Sequence, residues 1–290
     1  MSQAGPTRQP TPNEAGGAEW PEPDPVRSTE PADVAGHPDA AGEDELGLRP
    51  LTARSVVLSV LLGTHPPLLP VHSLVRTAEV FNISEGTARV ALSRLTAEGD
   101  VMAEGGGYRL SDRLVARQRR QDDARRPVTR PWRGTWELAV ASPDIRSAVE
   151  RGALGAELAG LRLAEIRSGI WARPANLRRD WPASLEGRAW RFEAKSPAGD
   201  VDNRTVAASL WDLDAWAVRA RALLDALAGA ARPARRFVVT AAIVRHLQAD
   251  PLLPPSLLPG RWPGRRLRDA YAAYERELGD LLRHERTRHG

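Results

Sequence analysis

The 290-residue sequence predicts an α+β protein of several domains. Three observations carry that expectation. Residues 50–99 hold three short helical stripes separated by turns, residues 101–110 hold two apolar segments around a glycine triplet, and the remainder mixes β-type runs with longer helical patterns.

Residues 1–48 hold ten acidic and two basic residues and only isolated apolar ones such as Trp20 and Val26. That composition cannot offset the entropy of ordering, so a disordered acidic tail is expected there. Order begins at "LTARSVVLSVLLG", where Thr52 is placed to cap a helix, Val56 to Leu62 is dense enough to be buried, and Gly63 ends it. Ser73 is the expected cap of a second helix with Leu74, Ala78 and Phe81 on one stripe. After the turn "NIS", Ser84 caps a third helix whose positive end suits Glu85 and which Gly99 stops.

Val101 to Ala103 and Tyr108 to Leu110, around Gly105, Gly106 and Gly107, then suggest a small hairpin. Three helices followed by a hairpin describe a winged helix, expected over residues 49–112. Eight arginines between residues 113 and 133 mark a basic helical linker, bounded as 113–131. A small α+β middle domain is expected over 132–208, with strands at "TWELAVAS", "IRSGIWARP" and "RAWRFEA" and a helix from Asp144 to about Ala164. From Trp211 the pattern is helical, giving a C-terminal helical domain over 209–290 that contains the proline-rich crossing "DPLLPPSLLPGRWPG".

Composition excludes several functions. The chain has no cysteine, which removes disulfides, thiolate metal sites and a thiol nucleophile, and suits a reducing compartment. No apolar run approaches the roughly 18 residues of a membrane span, and the N-terminus lacks the features of a signal peptide, so a cytoplasmic location is expected. Phosphate-loop, paired-histidine zinc and Gly-x-Ser-x-Gly motifs are missing, and neither a catalytic residue, a cofactor nor a metal is expected. His284 and His289 sit near a fraying end, where solvation is the plainer reading.

The net charge of +4 becomes +12 once residues 1–48 are set aside, which favours a polyanionic partner. Every basic residue except Lys195 is arginine, so an arginine-rich genome would give the same excess. The third helix is more specific. At 100° per residue, Ala88, Ala91, Leu92 and Leu95 form its core stripe, and Gly86, Arg89, Val90, Ser93 and Ala97 lie opposite with Arg94 on the flank. Such a flat, small face suits the DNA major groove, where arginine bonds guanine, serine reaches a base or phosphate, and valine meets a thymine methyl. Ser84, Thr87, Arg89, Val90, Ser93, Arg94 and the hairpin's Arg109 are the candidate DNA-binding residues.

"LTARSVVLSVLLG", "ISEGTARVALSRLTAEG", "GIWARPANL", "LWDLDAW" and above all "DPLLPPSLLPGRWPGRRLRDAY" resemble the PaaX family of bacterial transcriptional regulators, over about residues 50–285. The resemblance implies a winged helix, a ferredoxin-like middle domain similar to Cas2 and a helical C-terminal domain, working as a homodimer on double-stranded operator DNA. It also implies a repressor of phenylacetic acid catabolism, released from DNA by an aryl-CoA thioester, phenylacetyl-CoA in the best-known members. The chain departs from the family pattern in its long acidic tail and short hairpin.

A thioester effector needs cations for its phosphates and an aromatic slot for its acyl group. Trp171, Trp211 and Trp216 are the candidates for the slot, with Arg173 and Arg204 for phosphate; core packing is the alternative for each tryptophan. Two other readings remain open: a metal-dependent nuclease on the middle domain with Asp144 as ligand, and a DNA-binding adaptor without an effector.

Overall fold

In a computed structural model the described residues are 46–195 and 201–288, with side chains to residue 280. They form a mixed α+β body with two antiparallel sheets. The tail expected over 1–48 lies outside the described residues except for its last three. Those three are docked rather than loose: Leu46 and Leu48 pack on the C-terminal helices, and Arg219 and Arg245 donate to the carbonyls of Leu46 and Gly47.

Helix α1 (Ala53–Gly63) starts where expected, because Thr52 and Ser55 form a capping box, each side chain bonded to the other's backbone N–H. Its apolar run is explained by burial on two sides. Val57, Leu61 and Leu62 face the N-terminal core, whereas Val56 joins Phe81, Phe237 and Tyr274. Helix α2 (Val71–Val80) begins two residues before the expected Ser73 cap. Pro70 stands at its N-cap with φ −60°, and the Ser73 carbonyl instead accepts from the Thr77 hydroxyl. Helix α3 (Glu85–Ala97) is capped by Ser84 and ended by Gly99 at φ +70°, a conformation that suits glycine.

Strands β2 (Val101–Glu104) and β3 (Gly107–Leu110) form the hairpin, and a third strand, β1 (Leu68–Pro70), completes the order β1-β3-β2. Gly107 is required where β1 crosses, since a Cβ there would overlap the Leu69 carbonyl. The expected linker is a packed helix, α4 (Asp112–Arg125). Leu114, Gln118, Gln121 and Ala124 form its buried stripe, and Gln118 Nε2 lies within 3.4, 3.1 and 2.8 Å of the Leu61, Leu62 and Thr64 carbonyls at the end of α1. The Leu61 carbonyl also accepts from the Thr64 N–H at the C-cap, and the amide adds a donor for the carbonyls that the helix end leaves open.

The second sheet holds β4 (Thr135–Ala141), β5 (Ala164–Arg167), β6 (Ile170–Pro174) and β7 (Ala189–Lys195), in the order β5-β6-β4-β7, all antiparallel. "IRSGIWARP" is therefore two strands, folded back at Gly169 with φ +82°. Helix α5 (Ala148–Gly160) is shorter than expected because Ser147 and Glu150 close a capping box that starts the helix four residues beyond Asp144. It lays Leu154 and Leu158 on Ala139 and Trp171. The other sheet face meets α6 (Asn203–Leu210), a helix the apolar periodicity does not announce. Helices α7 (Leu213–Ala228), α8 (Pro233–Gln248) and α9 (Gly264–Arg288) close the C-terminal core around Leu223, Ile243, Leu247 and Leu267.

Candidate nucleic-acid interface

The core stripe of α3 lies as its spacing demands: Ala88, Ala91, Leu92 and Leu95 are buried. Truncating either leucine to alanine would cost about 2–5 kcal/mol, so this stripe holds the helix against α1 and α2. The opposite face is exposed. Gly86, Thr87, Arg89, Val90, Ser93, Arg94 and Ala97 all face outward, and Val90 is 51% exposed.

Local chemistry divides these residues. Ser84 Oγ accepts from the Thr87 backbone N–H at 3.3 Å and meets the Thr87 hydroxyl at 2.9 Å, so both hydroxyls belong to the cap. Arg89 reaches back one turn to Glu85, and Arg109 is tied across the hairpin to Glu104 at 2.5 Å. Arg94 has no ion-pair partner among the described residues, nor has Ser93 a hydrogen bond. The two acids of the segment from Ser84 to Gly99 are each matched by an arginine, Glu85 by Arg89 and Glu98 by Arg54. The cation left over on the helix is Arg94.

A buttress fixes the far end of α3. Asp100, with a side chain only 6% exposed, binds both Arg54 of α1 and Arg113 of α4. Its backbone carbonyl also accepts from Ser111 N–H at 3.0 Å. Three elements are thereby clasped at the turn from helix to hairpin, and a buried carboxylate is stable there because two guanidiniums surround it. Sequence reasoning missed Asp100 and Gln118; the helical i, i+4, i+7 spacing of Leu114, Gln118 and Gln121 is the signal that could have found the second.

The five expected effector residues are not brought together. Trp171 packs under α5, Trp211 lies against the sheet beside α6, and Trp216 is stacked between Trp262 and His246 at 4.5 and 4.4 Å. Arg173 is 0% exposed and donates to Asn176 and to the carbonyls of Arg162, Pro174, Pro251 and Leu252. Burial, then the neighbouring Arg179, draws its pKa down to about 9. Its guanidinium pins the middle sheet to the proline-rich segment and presents no surface to a phosphate. Arg204 and Trp211 do share a cleft of about 570 Å³, although Arg204 also holds the Ser256 carbonyl.

Asp144 is bonded to Ser142 in a turn, and no group of three or more metal-ligating side chains occurs among the described residues. His284 and His289 fall outside the described side chains. Among the described residues, no helix is long and apolar enough to cross a membrane.

A helix face of small residues and arginines, buttressed from behind and flanked by a short hairpin, has the size and charge that suit a nucleic-acid groove. Residues 52–114 match the PaaX-like protein family and residues 211–284 match the PaaX-like protein C-terminal domain. The chain belongs to the PaaX family, whose members are DNA-binding transcriptional regulators. A solved structure, the uncharacterized protein Rv0674 from Mycobacterium tuberculosis, is 43% identical, with a TM-score of 0.68 over 80% of this chain and 97% of that one. Comparison with functionally curated proteins returned no match.

Proposed function

We propose that this protein is a repressor of an aromatic-acid, phenylacetate-type catabolic operon, and that an aryl-CoA thioester such as phenylacetyl-CoA releases it from DNA. The observation that carries the DNA half of this reading is the outward face of α3. The effector half and the homodimer rest on family membership, at whose level control of phenylacetic acid catabolism is supported.

In this reading residues 49–112 are a winged helix, with α2 and α3 as the helix-turn-helix pair and the β2-β3 hairpin as a short wing. The middle sheet, whose strands run fourth, first, third, second when read from β7, supports a ferredoxin-like domain. Arg89 and Val90, in the first half of α3, enter the groove and read base edges. Ser93 and Arg94 hold phosphate, Arg109 reaches the flanking backbone once it leaves Glu104, and the Ser84–Thr87 cap presents the helix N-terminus to the strand.

The test is mapping of protected sites across the genome of origin with the full chain. Protection of a short inverted repeat upstream of aromatic-acid genes is expected, lost on adding phenylacetyl-CoA. Sites without sequence preference, or protection indifferent to every aryl-CoA thioester, would favour an architectural protein or an adaptor instead.

A further inference from the structure

Two adjoining clefts of about 270 and 520 Å³ lie between α1, α4, α8 and α9 and share Ser59, Leu62, Arg117, Phe237, Ala241 and Arg245. The inner cleft is walled by Leu62, Phe237, Val244 and Tyr274, and so by elements far apart in sequence. Those apolar side chains share the inner cleft with the Arg125–Glu275 ion pair, and the outer one carries Arg49, Arg117 and Arg245 beside Glu98 and Asp100, which Arg54 and Arg113 hold.

Two features of the walls are unfinished. Tyr274 is 8% exposed, and its buried hydroxyl has no hydrogen-bond partner among the described residues. Burial raises its pKa, so the group stays a donor, and a buried donor without an acceptor is costly. At the mouth Arg49, Arg117 and Arg245 crowd one another. None has a carboxylate partner among the described residues, and the one hydrogen bond is from Arg245 to the Gly47 carbonyl. Burial and then the neighbouring arginines lower the pKa of Arg117 and of Arg245. An anion with an acceptor oxygen would relieve both deficits.

The larger cleft of about 960 Å³ under the proline-rich segment lacks this combination. There Arg204 holds the Ser256 carbonyl, Arg268 holds Asp250, Arg265 faces Asp269, and Arg130 holds the Ala175 carbonyl, which leaves Arg261 as the single arginine of that lining without a partner among the described residues.

We propose that the double cleft is the effector site of this protein. It takes an organic anion whose aromatic body lies against Phe237 and Val244, whose oxygen accepts from Tyr274, and whose charge faces Arg117 and Arg245. This rests on the ligand-responsive reading above and adds its location and its route. Helix α1 is the wall common to the cleft and the DNA-facing core. A ligand seated against Ser59 and Leu62 acts on α1, and through Val57 and Leu61 on the Leu92 and Leu95 stripe of α3.

A free aryl acid and its CoA thioester share this chemistry, and separate calorimetric titrations of the full chain with phenylacetate and with phenylacetyl-CoA distinguish them. Binding of either is expected, with Tyr274→Phe and Arg117→Gln each weakening it about tenfold or more. Tyr274→Phe keeps the ring and removes only an unpartnered hydroxyl, so its melting temperature should not fall. Native affinity in both variants would overturn the site, as would failure of both probes to bind. Weakening by Arg204→Gln with Tyr274→Phe intact would move the ligand to another cleft and overturn it equally. Ligand binding that leaves the DNA complex intact would overturn the route through α1. Probe binding as expected by a protein that does not bind DNA would support the site and sink the repressor reading.

Discussion

Arg89 and Glu85, one turn apart on the exposed face of α3, are joined through Nε and Nη2 of the guanidinium to a single carboxylate oxygen at 2.8 and 2.7 Å. An exposed pair of this kind contributes only about 0–1 kcal/mol, so it orients Arg89 without locking it. In the proposed DNA complex that carboxylate would stand beside the phosphates. Glu85→Ala is expected to tighten DNA binding several-fold in an anisotropy titration, with a small loss of helix stability because a favourable acid leaves the N-terminus. Weaker binding would mean that Glu85 positions Arg89 for its contact.

The two arginines of this face should differ in kind. Arg89→Ala is expected to cost about 1–3 kcal/mol on the preferred site and little on unrelated DNA, as a base reader would. Arg94→Ala should weaken both alike and lower the salt slope by about one, as a phosphate contact would. Measuring both variants on both sequences at several salt concentrations separates the roles; interchanged behaviour would turn the helix around in the groove.

Gln118 closes the end of α1, and its replacement should be read in folding. Gln118→Leu leaves buried carbonyls without a donor and is expected to cost about 1–3 kcal/mol in urea denaturation. Gln118→Glu should cost more, because a carboxylate repels the oxygens the amide binds. Equal stability of the leucine variant would show that water replaces the amide.

His246 meets the Trp216 carbonyl through Nε2 at 2.9 Å, while Trp216 Nε1 donates to the His246 carbonyl at 3.2 Å. Burial, the largest cause, lowers the histidine pKa, so the folded protein holds this ring neutral after the unfolded chain has begun to protonate. The unfolded state then binds more protons, and stability falls as pH drops below about 6.5 toward the depressed folded value. Melting temperatures at pH 7.5 and 5.5 should differ more for the native chain than for His246→Gln. An identical pH response in the two would remove His246 from the account.

Gly107 should tolerate no side chain. Gly107→Ala places a methyl against the Leu69 backbone and should destabilise the protein by about 1–3 kcal/mol, with the change seen in denaturant midpoint. A neutral substitution would mean that β1 is free to move away.

How far the sequence reaches depends on whether a feature is local. Ser84, Gly99 and the alanine-leucine stripe define α3 within sixteen residues, and its outward face follows from the same spacing. Strand β1 is three residues long among prolines, and α6 is eight residues with a single buried position, so neither carries a period long enough to read. The tryptophans were ambiguous for a different reason. Cores and ligand slots use the same aromatic surface, and only the fold distributes Trp171, Trp211 and Trp216 among three separate clusters. Arg173 shows the same limit for charge, being a phosphate ligand by type and an internal tie by position. The cleft lined by Leu62, Arg117, Phe237 and Tyr274 has no sequence signature, because its walls are separated by scores of residues.

Helix α1 presents Val57 and Leu61 to one core and Val56 to another, where Phe81 and Phe237 meet at 4.8 Å. The consequence bears on engineering. Residues 49–112 are not a cassette to be cut out or exchanged, since a fragment ending there would bare Val56 and Phe81 and lose the Gln118 amide. A chimera meant to redirect such a regulator to new DNA should graft only the outward residues of α3 and leave the body behind it intact.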